Sequence, residues 1–116
     1  MSTNLKRTSL YEQHKIAGGR LIDFRGWELP VQYTGIIEEH LNCRTNCGLF
    51  DVSHMGEFFF EGSDAEAFLN FSVTNDISKT FPGRAMYTVL CRSDGGMVDD
   101  LVIYRLSAQK FLLIVN

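Results

Sequence analysis

Apolar and polar residues change their period along this chain, and each change predicts a change of element. Ser9-Leu-Tyr-Glu12 has the spacing of a capping box, Ser followed three residues later by Glu. It predicts a short helix over 10–17 that ends at Gly18-Gly19. Leu21, Phe24 and Trp27 then fall in a Gly-punctuated stretch that reads as strand or extended loop, with Pro30 breaking its regularity. Over 34–47 the period becomes helical. Ile36, Ile37, His40, Leu41, Arg44 and Cys47 recur at three-to-four spacings, and Gly48 is placed to cap the helix. Beyond Gly48, residues 49–52 and 56–60 read as strands. Ser63-Asp-Ala-Glu66 is a second capping box, opening a helix that carries Ala67, Phe68 and Phe71. Phe81-Pro-Gly83 is a turn. Strand-like runs follow at 85–91, 97–106 and 111–115, joined by Ser93-Asp-Gly-Gly96 and Ser107-Ala-Gln-Lys110. The predicted fold class is α+β, a mixed, largely antiparallel sheet with flanking helices. An apolar strand that runs up to Asn116 points to a domain that continues, so residues 1–116 are expected to form the N-terminal part of a larger one.

Composition narrows the function classes. The 116 residues are 45% apolar and 22% charged, as in a folded globular protein. The net charge is −3, and Lys6-Arg7 is the only basic cluster, so the electrostatic footprint of a nucleic-acid binder is missing. No apolar run approaches the ~20 residues of a membrane span. Residues 1–10 contain neither a secretory apolar core nor an Arg-rich amphipathic leader, which predicts a bacterial-type cytoplasmic protein without a targeting segment. Cys43, Cys47 and Cys91 form no disulfide framework and suit a reducing compartment.

Three constellations could carry chemistry. Asp99-Asp100 lies in a strand, where neighbouring side chains alternate faces, so the pair is not expected to act as an acid/base dyad. Asp100 shares a face with Val98 and Val102, and Asp99 with Met97 and Leu101. A carboxylate on an apolar face needs hydrogen-bond donors or a cation. Both aspartates could equally accept backbone N–H groups at the hairpin mouth. Asp51, Ser53 and His54 suggest a hydrolytic triad, but adjacent residues on one strand do not converge and no Gly-x-Ser-x-Gly elbow is present. A structural role is expected, with His54 satisfying backbone groups at a turn. His40, Cys43 and Cys47 are soft-ligand types on one helical face, but positions seven apart are separated by roughly 10 Å, too far for one metal. They read as a buried helix face, and no metal site is expected. Trp27, Tyr33, Tyr87 and Tyr104 could stack on a planar ligand or fill the core.

Several segments resemble the N-terminal part of the glycine cleavage T protein family, the aminomethyltransferases. They are Ser9-Leu-Tyr-Glu-Gln-His14, Asp23-Phe-Arg-Gly-Trp-Glu-Leu-Pro30, Arg44, Gly48-Leu-Phe-Asp-Val-Ser-His-Met-Gly-Glu57, Thr74-Asn-Asp76, Ala85-Met-Tyr87, Gly95-Gly-Met-Val-Asp-Asp-Leu-Val-Ile-Tyr104 and Leu113-Ile-Val-Asn116. The resemblance runs from about residue 6 to the end and implies part of a folate-binding domain of mixed α/β type. It implies transfer of a one-carbon unit from an aminomethyl group on the lipoyl arm of the H protein to tetrahydrofolate, with release of ammonia. Carried over by position, Asp100 is implied to be the catalytic carboxylate, and Met55, Tyr87, Asp100 and Asn116 are implied to line the folate pocket. Asp99 is read as structural support. Members of the family are longer, so further pocket residues are expected from chain not present here, and these residues alone are expected to be inactive. A folate-binding module without transferase activity, or the equivalent domain of a sarcosine or dimethylglycine oxidase, would also carry these motifs. Retention of Asp100 argues against the first, and a match beginning near Met1 against the second.

Overall fold

A computed structural model describes residues 4–116. Residues 1–3 of the leader considered above lie outside the described residues. The chain divides into two units, Met1–His54 and Met55–Asn116.

The first unit begins with a parallel bridge between Lys6 and Trp27. Helix α1 (Tyr11–Ile16) follows and ends before Gly18, whose φ of 77° only glycine adopts freely. The Ser9 capping box does not form, because α1 is entered through a turn: Thr8 carbonyl accepts Tyr11 N–H at 3.2 Å and Thr8 Oγ1 accepts Leu10 N–H at 3.3 Å. Strands β1 (Arg20–Phe24) and β2 (Trp27–Gln32) make an antiparallel hairpin. Its two-residue turn, Arg25-Gly26, has φ of 51° and 87°, the left-handed pair whose twist matches the flanking strands. Asp23 Oδ1 accepts Gly26 N–H at 2.8 Å and fixes the turn. Pro30 does not end the strand. It pairs with Leu21 beside a register shift between Arg20 and Leu21, where the missing N–H is tolerated.

Helix α2 (Ile36–Thr45) is shorter than the predicted 34–47. Its entry is held by Glu39, whose Oε1 accepts the N–H groups of Tyr33 (2.7 Å), Thr34 (2.8 Å) and Gly35 (3.0 Å). Those donors, Tyr33 first, hold the Glu39 carboxyl below its usual range. Asn46, not Gly48, caps the C-terminus. Gly48 is needed for space instead, since a Cβ there would lie 2.7 Å from Cys43 Sγ and 2.9 Å from the Phe50 ring. The strand predicted at 49–52 is irregular chain. Its alternation is not used, and Leu49, Phe50 and Val52 are exposed.

The second unit is a four-stranded antiparallel sheet in the order β3-β6-β5-β4, built from β3 (Gly56–Glu61), β4 (Ala85–Cys91), β5 (Met97–Ser107) and β6 (Lys110–Val115). Helix α3 (Ala65–Ser72) and a 3₁₀ turn (Ile77–Lys79) cover one face. The second capping box does not form either. Asp64 sits at the cap without a side-chain bond, and the Glu66 carboxylate pairs with Arg105 at 2.6 Å. Arg105 also donates to the carbonyls of Thr80 (3.1 Å) and Ala108 (2.9 Å), so one guanidinium ties helix, 3₁₀ turn and hairpin loop. The expected turns at 81–83 and 93–96 are present, with Gly83 and Gly95 at φ of 88° and 83°.

The core of this unit is Ala65, Leu69 and Ile77 packed on Leu101, Ile103, Phe111 and Leu113. On β5 and β6 these are alternate residues, so the residues in between point to the other face, as strand periodicity requires. That face bears the exposed Phe59, Tyr87, Val98 and Tyr104. The observed architecture is the mixed helix and antiparallel sheet read from the pattern.

Phe111→Ala, which empties a fully buried ring site, is expected to cost about 3–5 kcal/mol. Phe71→Ala, at a ring 91% exposed, is expected to cost under about 0.5 kcal/mol. Urea unfolding midpoints at constant slope check both.

Candidate functional site

The outer face of the second unit's sheet gathers polar groups at one end of its strands. The β3–β6 ladder closes with Gly56 opposite Val115, and one residue further on lie Met55 and Asn116. On β5, Asp100 pairs with Val89 of β4, and Tyr87 pairs with Val102. Residues 100 and 102 share a face, so Tyr87 and Asp100 meet diagonally across β4 and β5. Tyr87 O–H donates to Asp100 Oδ2 at 2.8 Å. That bond, with burial and the two aspartate charges adding to it, raises the phenol above its ordinary value. Asn116 Nδ2 donates to Asp99 Oδ1 (2.8 Å), to the Asp100 carbonyl (2.9 Å) and at longer range to Asp100 Oδ1 (3.3 Å). Its backbone N–H donates to Asp99 Oδ2 at 3.0 Å.

The two carboxylates therefore differ. Both oxygens of Asp99 accept from Asn116, while Asp100 Oδ1 has only a long contact and faces the side away from the core. Alternation holds for the strand, with Asp99 in phase with buried Leu101 and Ile103. One amide nevertheless reaches both carboxylates, which strict alternation does not anticipate. Met55 and both aspartates are half-buried, and Tyr87 is 61% exposed. The face thus offers a phenol ring beside a carboxylate, with Met55 next to the end of the neighbouring β3, a surface suited to a flat heterocycle with N–H groups on its edge.

In the first unit the sequence pointed to the wrong partners. Asp51 does not meet His54. Its Oδ2 accepts from Thr8 Oγ1 (2.7 Å) and from His14 Nε2 (2.8 Å), and its Oδ1 accepts Ser53 N–H (2.9 Å). The Asp51 side chain is 4% exposed and that of His14 8%. Burial opposes the charge, but the bonds from Ser53, Thr8 and His14 outweigh it and hold Asp51 well below the usual carboxylate range. The other ring nitrogen of His14, Nδ1, lies 2.7 Å from the Tyr33 hydroxyl oxygen, so the imidazole bridges Asp51 and Tyr33. Burial first, and the charges of Asp51 and Glu39 after it, raise the Tyr33 phenol.

His54 lies edge-on to Phe24 and Trp27, with ring centroids 5.7 and 6.3 Å away. Its Nδ1 is buried and has no partner among the described residues, so it does not satisfy a turn's backbone as expected. The His40, Cys43 and Cys47 stripe is not a buried helix face. All three are exposed, as is most of α2, whose apolar Ile36, Ile37 and Leu41 face outward. Among the described residues no three His, Cys, Asp or Glu side chains gather closely enough to hold a metal ion.

Residues 10–116 match the family described as the GCVT N-terminal domain. The chain belongs to this family. It is 57% identical over 114 residues to the aminomethyltransferase of Desulfitobacterium hafniense (strain DSM 10664 / DCB-2), covering 98% of this chain and 31% of that protein. With the aminomethyltransferase of Chlorobium luteolum it shares 54% identity over 112 residues, covering 97% and 31%. The crystal structure of glycine cleavage system aminomethyltransferase T from Bartonella henselae superposes with a TM-score of 0.89 at 38% identity, covering 97% of this chain and 32% of that one. The chain thus spans about a third of the length of these relatives.

His14 and Thr8 were not singled out as partners of Asp51 by sequence reasoning, nor Tyr33 as a partner of His14. Their link to Asp51 spans 37 and 43 positions for His14 and Thr8, and no local pattern encodes it. Asp51→Asn is expected to cost about 3 kcal/mol at neutral pH, because it breaks a buried charged network. The folded-state value of Asp51 is depressed, so its contribution is full above the ordinary aspartate value of 3.8. It is lost as the pH falls from there towards the lowered value in the fold. Chemical unfolding of both proteins from pH 7 down to pH 2 should therefore show the gap between them narrowing below pH 4.

Proposed function

We propose that this chain supplies the folate-facing part of the aminomethyltransferase of a glycine cleavage system. In this reading the whole protein accepts an aminomethyl group from the lipoyl arm of the H protein. It passes the one-carbon unit to tetrahydrofolate and releases ammonia, as a step of glycine catabolism and one-carbon metabolism. The observation that carries the reading is the hydrogen-bonded set of Tyr87, Asp100 and Asn116 at one end of an open sheet face, with Met55 just before the adjoining β3, within a chain of this family. Met55 and Tyr87 would pack on the flat ring system. Asp100 and Asn116 would pair with its N–H groups.

Tetrahydrofolate, when bound, supplies the nucleophilic nitrogen that takes the carbon. The chain's own contribution is orientation and charge. Tyr87 O–H, bonded to Oδ2, holds the Asp100 carboxylate in place. Oδ1 is left to accept an N–H beside the attacking nitrogen and to stabilise positive charge on the carbon in transit. Asp100 is thus proposed as the catalytic residue.

Residues 1–116 are further proposed to be the N-terminal part of a longer domain. The coverage of about a third of each relative supports this, as does the apolar surface of α2 and of 49–52, where Leu49 is 100% exposed. The bacterial cytosol is the proposed location. No helix among the described residues is long and apolar enough to cross a membrane. The second reading is a folate-binding but inactive piece, favoured by that same coverage, since a third of a relative need not contain every catalytic group.

Calorimetric titration of tetrahydrofolate into this chain, and into a chain of the relatives' length, is the test. Binding to the longer chain alone means that the pocket needs the remaining residues, and binding to neither removes the folate reading. In the longer chain Asp100→Asn is expected to lower kcat by about a hundredfold or more with the fold unchanged by circular dichroism. Full activity of that variant would remove Asp100 from the mechanism.

A further inference from the structure

Two of the chain's three thiols lie at the C-terminal end of α2. Cys43 is in the last turn of the helix, and Cys47 follows the cap residue Asn46. Both are exposed. Positions four apart on a helix put their Cβ atoms about 5–6 Å from one another. A disulfide needs about 3.5–4.5 Å between Cβ atoms, so an unbroken helix holds such a pair slightly too far apart. The helix here is broken between them. Asn46 has φ of −131° and ψ of −105°, outside the helical range, so Cys47 is not fixed by the ladder of α2. The chain then turns back over Cys43. The Asn42 side-chain amide donates to the Cys47 carbonyl at 2.9 Å. A Cβ at Gly48 would stand 3.3 Å from Cys43 Cβ and 2.7 Å from its sulfur. Cys43 and Cys47, together with His40, line one groove of about 360 Å³. Cys91 belongs to the second unit and is half-buried on β4.

We propose that Cys43 and Cys47 are a redox pair that closes reversibly to a disulfide across the end of α2. The oxidant is a peroxide. One thiolate attacks the O–O bond and becomes a sulfenic acid, and the hydroxide that leaves takes up that thiol's proton as water. The second thiol attacks the sulfenic sulfur, the S–S bond forms, and a second water leaves. Two thiols and one peroxide thus give one disulfide and two waters, with two electrons passing from sulfur to oxygen. A reducing dithiol restores the pair by exchange and becomes the disulfide itself. A transient bridge of this kind suits a reducing compartment, where disulfides form to sense oxidants and not to staple the fold. Closing it draws residue 47 towards the helix. Leu49 and Phe50 line the same groove, so the state of the two thiols sets the shape of the apolar surface beside α2. None of this depends on folate binding.

The test adds one equivalent of hydrogen peroxide to the reduced protein under native conditions, in this chain and in the chain of the relatives' length. Remaining thiols are alkylated, and the protein is cut with trypsin and weighed by mass spectrometry. Arg44 lies between the two cysteines, so cleavage after it leaves the Cys43 and Cys47 peptides joined only through sulfur. The expected result in both chains is that joined pair, lighter by two hydrogens than the two thiol peptides together. Dithiothreitol should separate it, and Cys91 should be alkylated throughout. In Cys43→Ser the joined pair should be lost and Cys47 should stop at the sulfenic acid, trapped with dimedone. Should that variant fail to fold, Cys47→Ser, with Cys43 trapped in its place, serves the same purpose, and the unsubstituted protein already decides. A bridge to Cys91, a bridge between two copies on a non-reducing gel, or oxidation of Cys43 and Cys47 without a joined pair overturns the proposal. A bridge that forms in this chain but not in the longer one overturns it as well, because the pair is then closed off in the whole protein.

Discussion

The antiparallel register of β5 with its two neighbours is the constraint on which the candidate site depends. Val102 opposite Ile114 and Tyr87 opposite Val102 place three separate stretches of sequence in one row. Because side chains alternate, a slip of one residue in either ladder would send Tyr87 or Asn116 to the core face and remove it from Asp100. The register is held by burial. Leu101, Ile103, Phe111 and Leu113 can face α3 only in this phase, and reversing it would expose them and bury Asp100 and Tyr104. The hydrophobic core of the second unit thus fixes a polar constellation that it does not touch.

A sheet covered on one face has a face to spare, and here that face carries the candidate site. Its apolar residues are interspersed with groups that complete one another's hydrogen bonds: Tyr87 with Asp100, and Asn116 with Asp99 and the backbone of Asp100. The chain's membership of the GCVT N-terminal domain family gives this pre-set face a chemical meaning. Membership alone would not distinguish the roles of two adjacent aspartates. The hydrogen-bond pattern sets them apart: both oxygens of Asp99 accept from Asn116, while Asp100 accepts from Tyr87 at one oxygen and only at longer range from Asn116 at the other.

The first unit solves a different problem. Its two helices are short and its sheet is a single hairpin, and among the described residues Leu29 is the one large apolar side chain buried there. In place of a large core it has a hydrogen-bonded chain running from Tyr33 through His14 to Asp51, Thr8 and Ser53. A buried network of this kind specifies one arrangement of α1, the end of β2 and the 51–53 segment. Any other arrangement would strand a charge away from its donors.

How much of this was legible beforehand follows the range of the interactions. The sequence by itself determined the strands at 56–60, 85–91 and 97–106, their hairpins, the helices near 11, 36 and 65, and the α+β class. Each depends on local periodicity and on glycines at positive φ. It also marked Asp99-Asp100 as two carboxylates with different environments, since alternation is a local rule. Capping was misread at Ser9, Ser63 and Gly48, because Thr8, Arg105 and the close approach of Cys43 compete for those positions. The strand expected at 49–52 was lost for the same kind of reason. Asp51 spends its carboxylate on residues brought in from α1 and from the start of the chain, and the segment follows them instead of a ladder. Only the tertiary structure decided which carboxylate is held by Asn116 and which by Tyr87, that His14 is a partner and His54 is not, and that α2 carries its apolar residues outward. These outcomes depend on groups tens of residues apart in sequence meeting within 3 Å, and periodicity carries no information about such meetings.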